Sequence, residues 1–179
     1  MIAIMPALFE AFSALSEREH VLSEGDVLFR TGDAVRSMFV VVTGLVRLVR
    51  QLPHGPALTL QLAGRGSVLA EASLFAGVYH CDAVAVEPSR LLVSSRSRVE
   101  QAATHDPRTA RAWSEHLAAE IQRARAQVEI VSLKTVAERL DAWLTLHDGG
   151  LPPKGQRLRV ASEIGVTPEA LYRELARRR

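Results

Sequence analysis

The sequence holds a single cysteine, Cys81, in 179 residues, so the chain can form no internal disulfide. For the same reason it cannot by itself assemble a multi-cysteine zinc or iron–sulfur site. It has no apolar run approaching the roughly 20 residues that cross a bilayer, so no membrane partner is expected. The N-terminal stretch from Met1 to Phe12 has no basic lead and meets Glu10 early, unlike a secretory signal, and a cytoplasmic location is expected. The histidines (His20, His54, His80, His105, His116 and His147) are scattered, with none of the paired spacings that metal-dependent β-barrel enzymes need. There is no Gly-x-Ser-x-Gly elbow, no phosphate-cradling Gly-Lys-Ser/Thr loop and no His-Glu-x-x-His run. The reading is therefore not an enzyme, with no catalytic residue, no metal ligand and no certain cofactor. What is present is a globular composition, 47% hydrophobic and 23% charged, enough for one domain or two small ones.

The formal net charge of +2 is unevenly spread. Residues 1–149 carry 15 Lys/Arg against 17 Asp/Glu, a net of −2, whereas residues 150–179 carry 7 against 3, a net of +4. A basic end on an acidic body points to an anionic partner for that end, and nucleic acid is the first candidate.

A short helix is predicted over Pro6–Leu15, with proline in its first turn. Short apolar runs then alternate with turn residues: Val21–Leu22, Val27–Phe29, Met38–Val42, Leu45–Leu52, Ala57–Ala63, Val84–Val86 and Leu91–Ser94. In one of these, Leu58, Leu60 and Leu62 share a face and Thr59 and Gln61 the other. Roughly eight short strands at close spacing predict an antiparallel sandwich, roll or barrel.

From Pro107 to about Lys134 there is no glycine or proline, and Asp106 is placed to cap a long helix that starts on Pro107. Ser114, Ile121 and Val128 recur at seven-residue spacing, and Ala110, Leu117, Ala124 and Val131 do so at an offset of three. Such a seam, with β-branched residues at two positions, suits a parallel pair of helices and therefore a homodimer. Trp113 lies off the seam and is expected to pack within its own domain.

Residues 135–147 predict another amphipathic helix, closed by Gly149-Gly150 and Pro152-Pro153. Beyond it, Ala161 stands four positions before Gly165: a small residue and a turn glycine, as two closely crossing helices require. Val166 and Leu171 anchor the second of these helices, Thr167 caps it, and Pro168 opens it. Pro168, Glu169, Tyr172 and Arg173 are left facing outward near its start, as a groove-reading helix needs. Glutamate accepts from cytosine, and arginine donates two bonds to guanine. Arg177, Arg178 and Arg179 fall where phosphates would lie.

Four runs in this order carry a resemblance: Glu24–Asp33, Phe39–Arg47, Gly66–Phe75 and Gly165–Arg173. Together the chain resembles the cyclic-AMP receptor protein / fumarate-nitrate regulator (CRP/FNR) family of bacterial transcriptional regulators along essentially its whole length. The resemblance implies an α+β fold with an N-terminal antiparallel β-roll of the cyclic-nucleotide-binding jelly-roll kind (1–105). It implies next a long dimerisation helix (106–134) and a C-terminal helix-turn-helix DNA-binding domain (135–179). In the family a Glu-x-x-Ser-Arg run reads bases; Glu169 and Arg173 match it, and Tyr172 replaces the serine. The family continues into a β-hairpin wing, and here the sequence stops at Arg179, so a wingless head is expected. By the same resemblance the loop Gln51–Pro56 is placed to touch RNA polymerase.

Cyclic-nucleotide binders of the family carry Glu at the Glu71 position and an Arg-Ser-Ala run where this chain has Cys81-Asp82-Ala83. The phosphate-pairing arginine is missing and Asp82 adds a repelling charge, so cyclic AMP is not expected as a conventional ligand. Glu71, Cys81 and Asp82 are the candidate effector-pocket residues for an unknown small molecule. A redox-sensing Cys81 thiol and haem ligation through His80 or Cys81 are alternatives. The expected function is a homodimeric, sequence-specific regulator of transcription on double-stranded DNA. The rival is a sensor or interaction module whose helix-turn-helix no longer binds DNA.

Overall fold

The computed structural model describes residues 6–51, 58–69 and 71–178. The chain divides into two compact units, Ile2–His116 and Leu117–Arg179.

In the first unit, helix α1 (Pro6–Leu15) precedes β1 (Arg18–Leu22), β2 (Val27–Phe29), β3 (Ser37–Thr43), β4 (Val46–Arg50), β5 (Leu58–Ala63) and β6 (Val68–Leu69). A single 3-10 turn, Glu71–Ser73, is followed by β7 (Asp82–Ala85), β8 (Ser89–Ser95), α2 (Arg96–His105) and the start of α3 (Pro107–Ser132). The strands form two four-stranded antiparallel sheets, ordered β1-β8-β3-β6 and β2-β7-β4-β5. This is the α+β fold with a β-roll that the sequence predicts.

Strand β3 is buried on both faces: Met38, Val40 and Val41 are fully buried and Phe39 nearly so. The continuous run Met-Phe-Val-Val-Val suits that position, because α2 lies against β3 and β8 and α1 packs on β8 and α2. Phe12 of α1 stacks on Trp113, with ring centroids 5.9 Å apart, so Trp113 packs within this unit as expected. Gly44, at φ +89°, turns the chain between β3 and β4. Any Cβ there would run into Ser89 and the Pro88 carbonyl, so the position is closed to side chains. The hydroxyl of Ser89 in turn accepts from the Leu45 amide (3.1 Å) and donates to the Glu87 carbonyl (2.7 Å).

Three details differ from the sequence reading. Residues 96–105, read as part of the roll, form the helix α2, which buries Val99 against the sheet. The alternation in β5 does not bury its leucine face, since Leu58 and Leu60 are exposed and only Leu62 and Ala63 are buried. A break in register between Leu48 and Val49 of the paired strand interrupts the ladder there. Helix α3 ends at Ser132, slightly before Lys134.

The second unit comprises the remainder of α3, α4 (Val136–Leu146), a 3-10 turn Lys154–Gln156, α5 (Arg157–Glu163) and α6 (Pro168–Arg177). Its core gathers Ile130, Leu140, Trp143, Val160, Ala161, Ile164 and Leu171, all nearly or fully buried. Helix α4 opens on a reciprocal cap: the Glu138 amide donates to the Thr135 hydroxyl (3.2 Å), and the Glu138 carboxylate accepts from the Thr135 amide (2.9 Å). The Trp143 indole donates to Glu163 (2.7 Å), so the one polar atom of a buried ring is satisfied.

Candidate nucleic-acid interface

Helices α5 and α6 meet through a turn that only glycine fits. Gly165 adopts φ +66°, and a Cβ there would lie 2.9 Å from Val131 Cγ1. Ala161 and Leu171 are buried where the two helices cross. The turn is held from outside by Arg139 of α4, whose guanidinium donates to four backbone carbonyls. These are Val131 (2.8 Å) and Leu133 (2.9 Å) at the end of α3, and Ile164 (3.3 Å) and Gly165 (3.2 Å) in the turn. No sequence signal marked this residue, because its acceptors are main-chain atoms up to 26 positions away.

Helix α6 starts as predicted. Thr167 caps it by accepting from the Ala170 amide (3.2 Å), and Pro168 occupies the first position. The Glu169 carboxylate folds back onto its own amide and the Thr167 hydroxyl, which holds its pKa below the usual range and keeps it ionised at the positive helix end. Glu169, Tyr172 and Arg173 are exposed on one side while Leu171 is fully buried on the other. Arg173 makes no ion pair among the described residues. The Tyr172 hydroxyl reaches the Lys154 carbonyl at 3.4 Å, a long bond that steers the ring toward the turn 154–156.

The three terminal arginines are not equivalent. Arg178 is drawn inward by Asp141 (2.5 Å), Glu174 (2.8 Å) and the Ala137 carbonyl (3.0 Å). It ties α4 to the end of α6, an engagement that the charge count alone does not reveal. Arg177 pairs with Glu174 at 2.9 Å yet stays largely exposed, and Arg179 lies outside the described residues. Glu163 is likewise taken up by Arg159 (2.9 Å) and Trp143. Glu163 and Glu174 are thus paired internally, and Lys154 and Arg173 are left as exposed cations without an ion-pair partner among the described residues.

The seam residues on α3 are placed as follows. Ser114, Ile121, Ala124 and Val128 are exposed, with Ile121 at 54% and Val128 at 66%; Leu117 is half-buried. Val131 packs within its own chain, over the turn at Gly165, and its neighbour Ile130 carries the core contact.

Of the candidate effector residues, Glu71 falls in the turn 71–73, Cys81 just before β7 and Asp82 at the first position of β7. Cys81 is 2% exposed, and burial pushes its thiol pKa up, opposed by the Arg50 charge. A buried thiol with a raised pKa is a packed residue without the thiolate character that redox sensing needs. Glu71 is half-buried and its charge reaches Cys81. Asp82 points elsewhere: its carboxylate accepts from the Thr31 amide (2.7 Å) and anchors the turn after β2, although its charge is still felt at Cys81. His80 meets the Ser73 hydroxyl through Nδ1 (3.1 Å) and accepts from Arg50 at its carbonyl (3.3 Å). Arg50 was not singled out in the sequence; the β4–β7 pairing brings it there. No cluster of potential metal ligands occurs among the described residues. The 51–56 loop lies outside the described residues beyond Gln51.

Residues 19–106 match the family described as a cyclic nucleotide-binding domain. The chain is 30% identical over 156 residues to a cyclic AMP receptor protein of Thermus thermophilus, covering 85% of this chain and 72% of the relative. It is 27% identical over 187 residues to a global nitrogen regulator of Synechocystis, covering 96% and 78%. Among solved structures it resembles FixK2 from Bradyrhizobium japonicum, with a TM-score of 0.71 over 89% of this chain and 83% of that chain at 24% identity.

Proposed function

Since the chain belongs to the cyclic-AMP receptor protein / fumarate-nitrate regulator family, whose members matched here are transcriptional regulators, we propose that it is a homodimeric, sequence-specific DNA-binding regulator. The observation that carries this reading is the outward face of α6. Glu169, Tyr172 and Arg173 stand exposed on a helix whose opposite side is locked by Leu171, and Glu163 and Glu174 are paired internally. Arg173 reads a base edge, Glu169 and Tyr172 define its neighbours, Thr167 and Pro168 set the helix start at the groove, and Arg177 meets a phosphate. The exposed Ser114–Val128 stripe pairs with the same stripe of a second copy. Two α6 helices then address successive major grooves about 34 Å apart on a pseudo-palindrome.

The roll serves as the effector-responsive part, acting by shifting the population of two states of the dimer. Cyclic AMP is not its conventional ligand, because a buried neutral thiol occupies the position of the phosphate-pairing arginine. RNA polymerase is a partner if the 51–56 loop reaches it.

The test is selection of bound sequences from random DNA, followed by anisotropy titration across salt. Affinity falls steeply with salt, and Arg173→Ala costs about 1–3 kcal/mol on the selected site while relaxing one base pair. Equal loss on selected and random DNA reduces Arg173 to a backbone contact. No enrichment of any sequence overturns the reading in favour of a sensor that does not bind DNA.

A further inference from the structure

Helix α3 runs into the head through residues 133–135, and such a junction is the natural place for a head to swing. Its contacts oppose a swing. The Leu133 amide donates to the Ile130 carbonyl (3.1 Å), and the Thr135 amide donates to the Glu138 carboxylate (2.9 Å). The Thr135 carbonyl accepts from the Arg139 amide (3.1 Å). From 108 to 148 the sequence has no glycine to loosen the backbone and no proline to break it.

Arg139 bonds both sides of this junction. Its guanidinium takes the carbonyls of Val131 and Leu133 at the end of α3 and those of Ile164 and Gly165 in the turn before α6. Carbonyls at a helix C-terminus lack an amide partner, and a cation is favoured there by the helix dipole. Two further contacts bypass the junction. Gln127 donates to the Ser162 carbonyl at the end of α5 (3.4 Å), and Val131 stands so close over Gly165 that a Cβ there would lie 2.9 Å away. Ile130 enters the core with Ile164 and Leu171. All these groups belong to the unit Leu117–Arg179.

We propose that the α3–α4 junction is a weld and not a hinge, with Arg139 as the positioning residue that fixes α6 to the end of α3. The inference rests on the reading of α6 as the helix that contacts DNA. A guanidinium suits the role because its donors lie in one rigid plane and hold four carbonyls in fixed relation. A head welded to the dimer helix fixes the span between two α6 helices as well as the tilt of each, so the pair accepts one half-site spacing. Any change of head orientation then arises before Gln127 in the chain, not at 133–135.

Spin labels at Gln122→Cys and Ala176→Cys, both exposed positions, report the distance from α3 to α6 by double electron–electron resonance. They are placed in a Cys81→Ala chain diluted with unlabelled chain. The intact junction gives one narrow distance, unchanged when the selected DNA is bound, and Arg139→Gln broadens it at unchanged helix content. A second arm inserts one base pair between the half-sites of the selected DNA. The chain with Arg139 loses affinity about tenfold, and Arg139→Gln loses less than about threefold, a difference that a purely stabilising residue does not produce. A broad or two-peaked distance with Arg139 present overturns the proposal without any variant at 139 having to fold. It also falls if Arg139→Gln keeps the narrow distance or shows the same spacing penalty. Absence of binding to any DNA strikes the DNA reading alone, and the distance then decides the weld.

Discussion

The guanidinium of Arg139 donates to the carbonyl of Gly165 across 3.2 Å, and through its other nitrogens to the last carbonyls of α3. One side chain therefore closes the end of the long helix and pins the turn that sets the angle of α6. Arg139→Ala strips four carbonyls of their donor and is expected to destabilise the C-terminal unit by about 2 kcal/mol, read by urea unfolding. Arg139→Lys recovers little of this, because an ammonium cannot span four acceptors that a planar guanidinium reaches at once.

Gly165 combines a left-handed backbone with a near approach to Val131, so two separable costs meet at one position. Gly165→Ala is expected to lose about 1–2 kcal/mol to backbone strain and more to the contact. Adding Val131→Ala removes the contact cost and leaves the backbone cost. Thermal unfolding of the two single variants and the pair resolves them, and strictly additive losses would show that the two side chains do not meet.

The exposed stripe on α3 leads to a prediction about assembly. Ile121→Glu and Val128→Glu place a carboxylate in the centre of the proposed seam, where burial without a partner is costly. Sedimentation velocity is expected to show monomers for both, with unchanged secondary structure. If both stay dimeric, the two copies meet on another surface.

Acid stability is set by carboxylates held below their usual pKa. Glu174 is held down by the Arg178 hydrogen bond and the Arg177 charge, and Glu138 by the Thr135 cap. A depressed folded-state pKa adds stability that is complete above the unfolded value, near 4.3 for glutamate, and is lost as pH falls through the lower folded value. Unfolding midpoints measured against pH are thus expected to drop below about pH 4.5. Glu174→Gln makes that drop shallower, and an unchanged slope would assign the acid response to other groups.

The Cys81 thiol is expected to react with a disulfide reagent only as fast as the roll opens, because it is 2% exposed and its pKa is raised. Reaction at the rate of a free surface thiol in native buffer would show that the thiol is accessible without opening.

Features encoded by neighbouring residues were legible in the sequence. The Thr167-Pro168 start of α6, the Asp106-Pro107 start of α3 and the Ala161–Gly165 crossing each depend on a few adjacent positions, and the structure has them as read. Asp106 accepts from the Thr109 amide at 3.1 Å, as a cap does. What escaped depends on distant partners. Charge counting treated Arg177, Arg178 and Arg179 alike, but Asp141, 37 positions earlier, claims Arg178. Likewise a one-sided pattern in β5 could not foresee that Leu58 and Leu60 would stay exposed. Helix α2 was missed because its mean hydropathy is low and it buries only Val99.

The bond from the Thr31 amide to Asp82 has a historical implication. Suppose an ancestor carried the family's arginine and serine at positions 81 and 82. Once aspartate had become the acceptor for that turn, a return to serine would leave the Thr31 amide with a shorter reach to bridge. An arginine at 81 would also have to displace packing that now encloses the thiol almost completely. Either change costs folding stability before any ligand is present, so the packing around Cys81 and the Thr31–Asp82 bond themselves oppose an arginine-serine pair at these two positions.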